Sequence, residues 1–209
     1  MVHFLIEGKL IKQGFGPVAG VDEAGRGPLA GPVFAAAVIL PSKFKIDGLN
    51  DSKKLSASKR EKLYKVIKNE ALSFAVSYVG EKQIDKMNIL NASLLAMKRA
   101  VLKLSVRPSY VLADGNKKIT GLDIKQSCVI GGDGISASIA AASILAKVER
   151  DRYMFRLHKK FPVYGFNAHK GYGTKAHIKA INMTGPCSCH RKTFEPVRSC
   201  RAKETVLEY

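Results

Sequence analysis

The chain has 209 residues, enough for one domain or for one domain with a small appendage. Its 46% hydrophobic content excludes general disorder, and its longest clean apolar run, Val33 to Leu40, is closed by Pro41 and falls far short of the ~20 residues of a membrane helix. Thirty-five Lys and Arg against 17 Asp and Glu leave a formal charge of +18, which favours a polyanionic partner because each cation that neutralises a phosphate releases condensed counterions.

In chain order, Val18 to Val21 and Val33 to Leu40 read as strands flanking a Gly/Pro-rich connection. Ser58-x-x-Glu61 reads as a capping box opening a helix whose Leu63, Val66 and Ile67 share one face. Ser73 to Val79 alternates Phe74, Val76 and Tyr78 against small residues, the pattern of a half-buried strand. From Ile84 to Leu104 the positions Leu90, Leu94, Met97, Val101 and Leu104 step by four and three, which predicts a helix. Pro108 separates it from a short strand over Tyr110 to Ala113, ending at Asp114-Gly115. Another strand, Ser127 to Ile130, meets Gly131-Gly132-Asp133, and a long helix rich in Ala at its start follows from about Ile135 to Leu157. This succession predicts an α/β chain, a mixed sheet with helices packed on it, over residues 1–160 and beginning in earnest near residue 17. Residues 161–209 read as a small helical appendage.

The opening MVHFLIEGKLIKQGFGP has no apolar core leading into a small-residue cleavage site, so a cytoplasmic protein is expected. Residues 151–209 hold 12 basic and 4 acidic residues, so the tail is about twice as basic per residue as the rest. No block reads as a polycationic arm, and a merely solvated basic face remains the plain alternative to nucleic-acid binding. The four cysteines are too few for a disulfide scaffold. Cys187-Ser188-Cys189-His190 lacks the paired C-x₂-C spacing of ordinary zinc modules, and reduced, incidental thiols are the preferred reading.

In so basic a chain the placement of acids is informative. Asp22-Glu23 ends one strand, Asp114 ends another, and Asp133 lies between Gly132 and a long helix. If the strand ends converge, the carboxylates form a site for hard divalent cations. Alternatively Asp114-Gly115 is a plain turn and Asp133 a helix cap. Asp22-Glu23 is harder to read as structural, because two adjacent carboxylates repel unless something cationic sits between them. Lys147 and Asp151, four apart on a helix, read as a surface ion pair, and Ala140 to Ser143 as close packing against the sheet.

Val21-Asp22-Glu23-Ala24-Gly25-Arg26-Gly27-Pro28-Leu29-Ala30-Gly31-Pro32-Val33 resembles the opening signature of ribonuclease HII. The resemblance continues through Leu49-Asn50-Asp51-Ser52-Lys53-Lys54-Leu55-Ser56, Asp114-Gly115, Gly132-Asp133 and the segment from Ser138 to Asp151. It ends with Tyr164-Gly165-Phe166, the run His169-Lys170-Gly171-Tyr172-Gly173-Thr174, His177, Gly185-Pro186 and His190-Arg191-x-x-Phe194. In the family's order, these motifs span about residues 18 to 197. The resemblance implies an RNase H-like mixed sheet over 1–160 and a C-terminal helical substrate-binding segment over 161–209. The implied enzyme hydrolyses the RNA strand of RNA/DNA hybrids and nicks duplex DNA 5′ to an embedded ribonucleotide, leaving a 3′-hydroxyl and a 5′-phosphate. Asp22, Glu23, Asp114 and Asp133 are the implied ligands of two divalent ions, Mg²⁺ or Mn²⁺. Gly25, Arg26 and Gly27 are implied to read the ribose 2′-hydroxyl and Tyr172 to stack on the neighbouring deoxyribose. Ser52, Lys53, Lys54, His169 and Lys170 are implied to lie near backbone phosphates. Two features depart from the family pattern. Gly131 stands where that pattern carries a lysine, which predicts a looser turn before Asp133, and the Cys187–His190 run replaces a polar, His-rich one.

The physics agrees with the implied chemistry. Two cations about 3.5–4 Å apart suit in-line phosphodiester displacement, and telling RNA from DNA requires a contact to the 2′-hydroxyl. Glycines permit a close backbone approach, and an arginine can grip a phosphate bidentately. Two other readings differ in kind: a basic hybrid- or duplex-binding protein without catalysis, and an HIII-type nuclease of the same fold. A monomer acting on hybrids and ribonucleotide-containing duplexes, away from membranes, is the default expectation.

Overall fold

Five strands, β1 (Val18–Ala24), β2 (Val33–Ile39), β3 (Ser73–Val79), β4 (Tyr110–Asp114) and β5 (Lys125–Val129), form one sheet in the order β3-β2-β1-β4-β5. The computed structural model describes residues 4–42, 48–49 and 52–200. β1 pairs antiparallel with β2, and β2 antiparallel with β3, whereas β4 runs parallel to both β1 and β5. The mixed sheet expected from the succession of elements is therefore present.

β2 is apolar at every position because both of its faces are covered. Val33, Ala35, Ala37 and Ile39 meet the helix α3 (Glu81–Leu102) through Ala92, Ala96, Met97, Ala100 and Val101. Ala36 and Val38 point the other way, toward α2 (Ala57–Glu70) and α4 (Ala137–Lys160). Each fully buried Val or Ile contributes about 1.5–3 kcal/mol, so this two-sided burial of one strand anchors all three layers. α4 lies very close to the sheet: a Cβ on Gly20 would come within 2.2 Å of the Ser138 carbonyl carbon. Residues 137–146 are all buried, as close packing of the Ala-rich start requires.

Several local expectations are corrected. The cap of α2 is Ser56, whose side chain accepts from the Lys59 amide, so Ser58 is already helical. Leu63, Tyr64 and Ile67 form its buried face while Val66 is exposed. β3 keeps the expected half-buried alternation, with the small residues Ser73, Ala75 and Ser77 buried on the side that admits α3 and Tyr78 exposed. α3 breaks at Asn88 (φ 67), whose side chain accepts from the Asn91 amide and caps the second stretch. α4 is capped by Ser136, not Asp133.

The N-terminal helix had no counterpart in the sequence pattern. α1 (Leu5–Lys12) lays Ile6, Leu10 and Ile11 against Val18, Leu112 and Ile139. Its Glu7 is fully buried and accepts from the Ser136 hydroxyl (2.7 Å), the Ser138 amide (2.9 Å) and the Ser138 hydroxyl (2.5 Å). After α4 come α5 (Phe166–His169) and α6 (Lys175–Thr184), the latter capped by Thr174, around a cluster of Tyr164, Phe166, Ile181 and Val197. Among the described residues no helix is long and apolar enough to cross a membrane.

Candidate active site

Asp22 and Asp114 come together through strand register. β1 and β4 are parallel and pair Val21 with Ala113, so the next residue on each strand is an acid. Glu23 follows Asp22, and its amide donates to Asp22 Oδ1 at 2.7 Å. Past β5, Gly131 takes the left-handed conformation (φ 64) and leads into a 3-10 turn, Gly132–Gly134, that carries Asp133. The Gly132 amide donates to Asp114 Oδ1 at 2.7 Å. The turn is thus pinned to the neighbouring acid rather than loosened by the two glycines. The Glu7 carboxylate holds the same connection at Ser136 and Ser138.

The electrostatics are those of crowded, poorly solvated acids. Burial pushes the Asp22 carboxyl well above the usual carboxylate range, and the negative charges of Glu23 and Asp114 add to that; a hydrogen bond from Ser143 opposes it. Burial also raises Glu23, against the pull of Arg26, whose Nη1 lies 3.3 Å from Glu23 Oε1. Lys53 Nζ lies 3.3 Å from Asp133 Oδ2. Oxygen-only donors, two of them buried and Asp22 repelled by Glu23 and Asp114, fit hard divalent cations, which prefer carboxylate and keep several waters. Among the described residues, the single set of three such donor atoms within 4.8 Å of one another is Cys187, Cys189 and His190. The carboxylates stand wider than that.

The segment after β1 is shaped by two arginines from elsewhere. Gly25 has φ 97, and a Cβ there would lie 1.9 Å from Arg150 Nε, so glycine is the residue this turn accepts. Arg191, fully buried, donates from Nη2 to the Gly25 carbonyl (2.6 Å), from Nη1 to the Arg26 carbonyl (2.7 Å) and from Nε to the Gly31 carbonyl (2.9 Å). Arg150 donates to the carbonyls of Pro32, Ala30 and Lys170. In the sequence Arg191 is one residue of the His190-Arg191-x-x-Phe194 motif. A buried arginine fork leaves no periodic trace; its full burial in the fold is what reveals it. Lys147 and Asp151 pair at 2.7 Å, as the helical spacing predicts.

The remaining residues divide. Tyr172 is 46% exposed, and its ring faces Gly27, where a Cβ would lie 3.8 Å from the ring. Lys53 and Lys54 are exposed at a short 3-10 turn, Ser52–Lys54. Asn50 and Asp51 of the same motif lie outside the described residues, as does the tail beyond residue 200. Ser52 is buried, and its hydroxyl lies 2.9 Å from that of Ser143, which in turn hydrogen-bonds Asp22. His169 is held by the backbone at both ring nitrogens. Its Nε2 donates to the Tyr164 carbonyl (2.7 Å) and its Nδ1 accepts from the Gly171 amide (3.2 Å), so both ring nitrogens hold the loop that carries Tyr172. Lys170 turns its ammonium onto the Asn167 carbonyl.

A mixed five-stranded sheet flanked by helices, with acids gathered at the strand ends, defines a ribonuclease H-type nuclease. The ribonuclease H2 of Pyrococcus horikoshii superposes with a TM-score of 0.74 at 27% identity, covering 89% of this chain and 97% of that one. The RNase HII in a complex with PCNA from Archaeoglobus fulgidus gives 0.70 at 28% identity, covering 85% and 95%. A Bst-RNase HIII structure in complex with Mn²⁺ shares the fold at 20% identity and a TM-score of 0.70, covering 89% of this chain and 69% of that one. The family model for Ribonuclease HII matches residues 19–197. A Ribonuclease HII from Endomicrobium trichonymphae is 56% identical over 194 residues, 93% of this chain and 92% of that relative. One from Pelotomaculum thermopropionicum is 54% identical over 203 residues, 96% and 76%. The chain belongs to the ribonuclease HII family, metal-dependent hydrolases of the ribonuclease H class.

Proposed function

We propose that this chain is an endoribonuclease that hydrolyses the RNA strand of RNA/DNA hybrids and nicks duplex DNA on the 5′ side of an embedded ribonucleotide, leaving a 3′-hydroxyl and a 5′-phosphate. The observation that carries the reading is the pairing of two things at one end of the sheet: acids on β1, β4 and the turn after β5, with Asp22 and Asp133 buried, and beside them a loop whose carbonyls are committed to Arg191.

In this reading Asp22, Glu23, Asp114 and Asp133 hold two divalent cations, Mg²⁺ or Mn²⁺, the hard ions that carboxylate oxygen prefers. When bound, such ions activate a water and stabilise the leaving oxygen of an in-line displacement. The protein's own part is placement. With the Gly25 and Arg26 carbonyls held by Arg191, the loop presents its Arg26 and Gly27 amides to a 2′-hydroxyl, which accepts as well as donates. Tyr172 closes on the sugar of the next nucleotide. Lys53 and Lys54, with Lys170 from the C-terminal segment 161–209, hold the backbone phosphates against the repulsion of the acids. Such an activity serves ribonucleotide and RNA primer removal by a monomeric cytoplasmic enzyme.

The test is cleavage of an end-labelled RNA/DNA hybrid with Mg²⁺, with Mn²⁺ and with chelator, for the wild type and for Asp114→Asn. Cleavage of the RNA strand that needs a divalent ion and is lost in the variant is expected. Full activity of Asp114→Asn refutes the assignment.

A further inference from the structure

We propose that Cys187, Cys189 and His190 form a binding site for a soft d¹⁰ cation, Zn²⁺, separate from the carboxylate site and built into the segment that holds the Gly25–Gly27 loop. Cys187 Sγ lies 2.8 Å from Cys189 Sγ and 3.2 Å from His190 Nδ1, and all three donor atoms lie within 4.8 Å of one another. None of the four cysteines is in a disulfide. Two sulfurs and an imidazole select soft or borderline cations over Mg²⁺ or Mn²⁺, which prefer oxygen.

The hydrogen bonds around His190 orient it as a ligand. His177 Nδ1 lies 2.9 Å from the Tyr172 carbonyl, which only accepts, so that nitrogen carries the proton. In the neutral ring, His177 Nε2 is then bare, and at 3.1 Å it takes the proton on His190 Nε2. The lone pair of neutral His190 is left on Nδ1, facing the Cys187 thiol. Ligating histidines characteristically give their second ring N–H to such a partner, which fixes the tautomer. A disulfide between the two cysteines would leave this arrangement of the imidazole without use.

Loading requires small shifts. Two thiolates on one tetrahedral zinc, with bonds of about 2.3 Å, stand roughly 3.8 Å apart, so the sulfurs must part by about 1 Å, and the Cys187 amide must release Nδ1 (3.0 Å). Cys189 and His190 are buried, whereas Cys187 is half-buried at a surface cleft lined also by Pro186, Ser188 and Lys192. That cleft admits the ion and a water for the fourth position. The consequence lies next door. The Cys189 carbonyl accepts from the Gly31 amide, the Arg191 amide donates to the Leu29 carbonyl, and Arg191 carries the fork on Gly25 and Arg26. An ion at Cys187–His190 therefore ties down the base of that fork.

Cobalt serves as the probe, because sulfur-to-cobalt charge transfer absorbs in the near ultraviolet and carboxylate ligation does not. Reduced full-length protein, stripped with chelator, is titrated with Co²⁺ and then with Zn²⁺, alongside Cys187→Ser and Cys189→Ser. A charge-transfer band saturating at one ion per chain and displaced by Zn²⁺ is expected in the wild type. It should be lost in both variants, while their circular dichroism stays unchanged. Zn²⁺ should raise the melting temperature of the wild type more than that of either variant. Absence of the band in folded, reduced wild type overturns the proposal, as does its persistence in both variants. Oxidation of the pair to a disulfide in the presence of Zn²⁺, seen as the mass loss of two hydrogens, overturns it as well.

Discussion

Replacing Arg191 with Met keeps a long, flexible side chain in place and removes every donor. Three carbonyls, of Gly25, Arg26 and Gly31, then lose bonds of 2.6–2.9 Å in a fully buried setting. Hydrogen bonds from a charged donor contribute about 1.5–3 kcal/mol each, so the gross loss is about 4.5–9 kcal/mol. Part of it is offset, because burial and the neighbouring Arg150 hold the Arg191 guanidinium down to about 9, meaning that its charge is itself costly there. The net expectation is a loss of about 2–4 kcal/mol, read as the change in urea midpoint at constant slope. The Gly25–Gly27 loop should lose its fixed shape before the carboxylates lose theirs. Nicking at a single ribonucleotide should therefore fall further than cleavage of a long hybrid, and Arg191→Lys, which reaches one carbonyl at most, should lie between. A variant within about 0.5 kcal/mol of wild type, with both activities reduced equally or not at all, refutes the idea that this fork shapes the reading loop.

Asp114→Asn should reduce cleavage by more than the roughly 10–100-fold typical of residues that only support a ligand, as initial rates in Mg²⁺ will show. The raised carboxyl of Asp22 binds a proton more tightly folded than unfolded, so its ionisation destabilises the ion-free fold as pH rises through the carboxylate range. Asp22→Asn in chelator should therefore be more stable than wild type by about 1 kcal/mol near neutrality, with the advantage vanishing at low pH; urea midpoints across pH check the sign. Glu7→Ala strips the acceptor from Ser136 and from both donors of Ser138. It should cost about 2–3 kcal/mol and slow cleavage through the adjacent Asp133 turn, and unchanged kinetics would separate that helix from the site.

The acids were legible because an acid closing an apolar strand in a basic chain is conspicuous, and parallel register does the rest. β2 was legible for a similar reason, since only a strand covered on both faces is apolar throughout. What stayed hidden were side chains whose task is set by tertiary contacts. Arg191 and Arg150 look like any basic residues until burial places them on backbone carbonyls. His169 and Ser52 sit in motifs that suggest phosphate contact, yet each spends its polar atoms inside the protein. α1 carried a faint signal in Ile6, Leu10 and Ile11, too short to stand out alone and stabilised by docking on Val18 and Leu112. The cysteine–histidine run lacked a familiar spacing, and only the fold shows its three donors meeting.

The central claim is a metal-dependent reading of the ribose hydroxyl, and one gel tests it directly. A labelled DNA duplex carrying one ribonucleotide is incubated with Mg²⁺, with Mn²⁺ and with chelator, beside an all-DNA duplex. The account predicts a single nick on the 5′ side of the ribonucleotide, lost with chelator, and no cut in the all-DNA control. No cleavage with either ion, together with a salt-sensitive mobility shift on every duplex, would contradict it and make Asp22, Glu23, Asp114 and Asp133 parts of a binding protein instead.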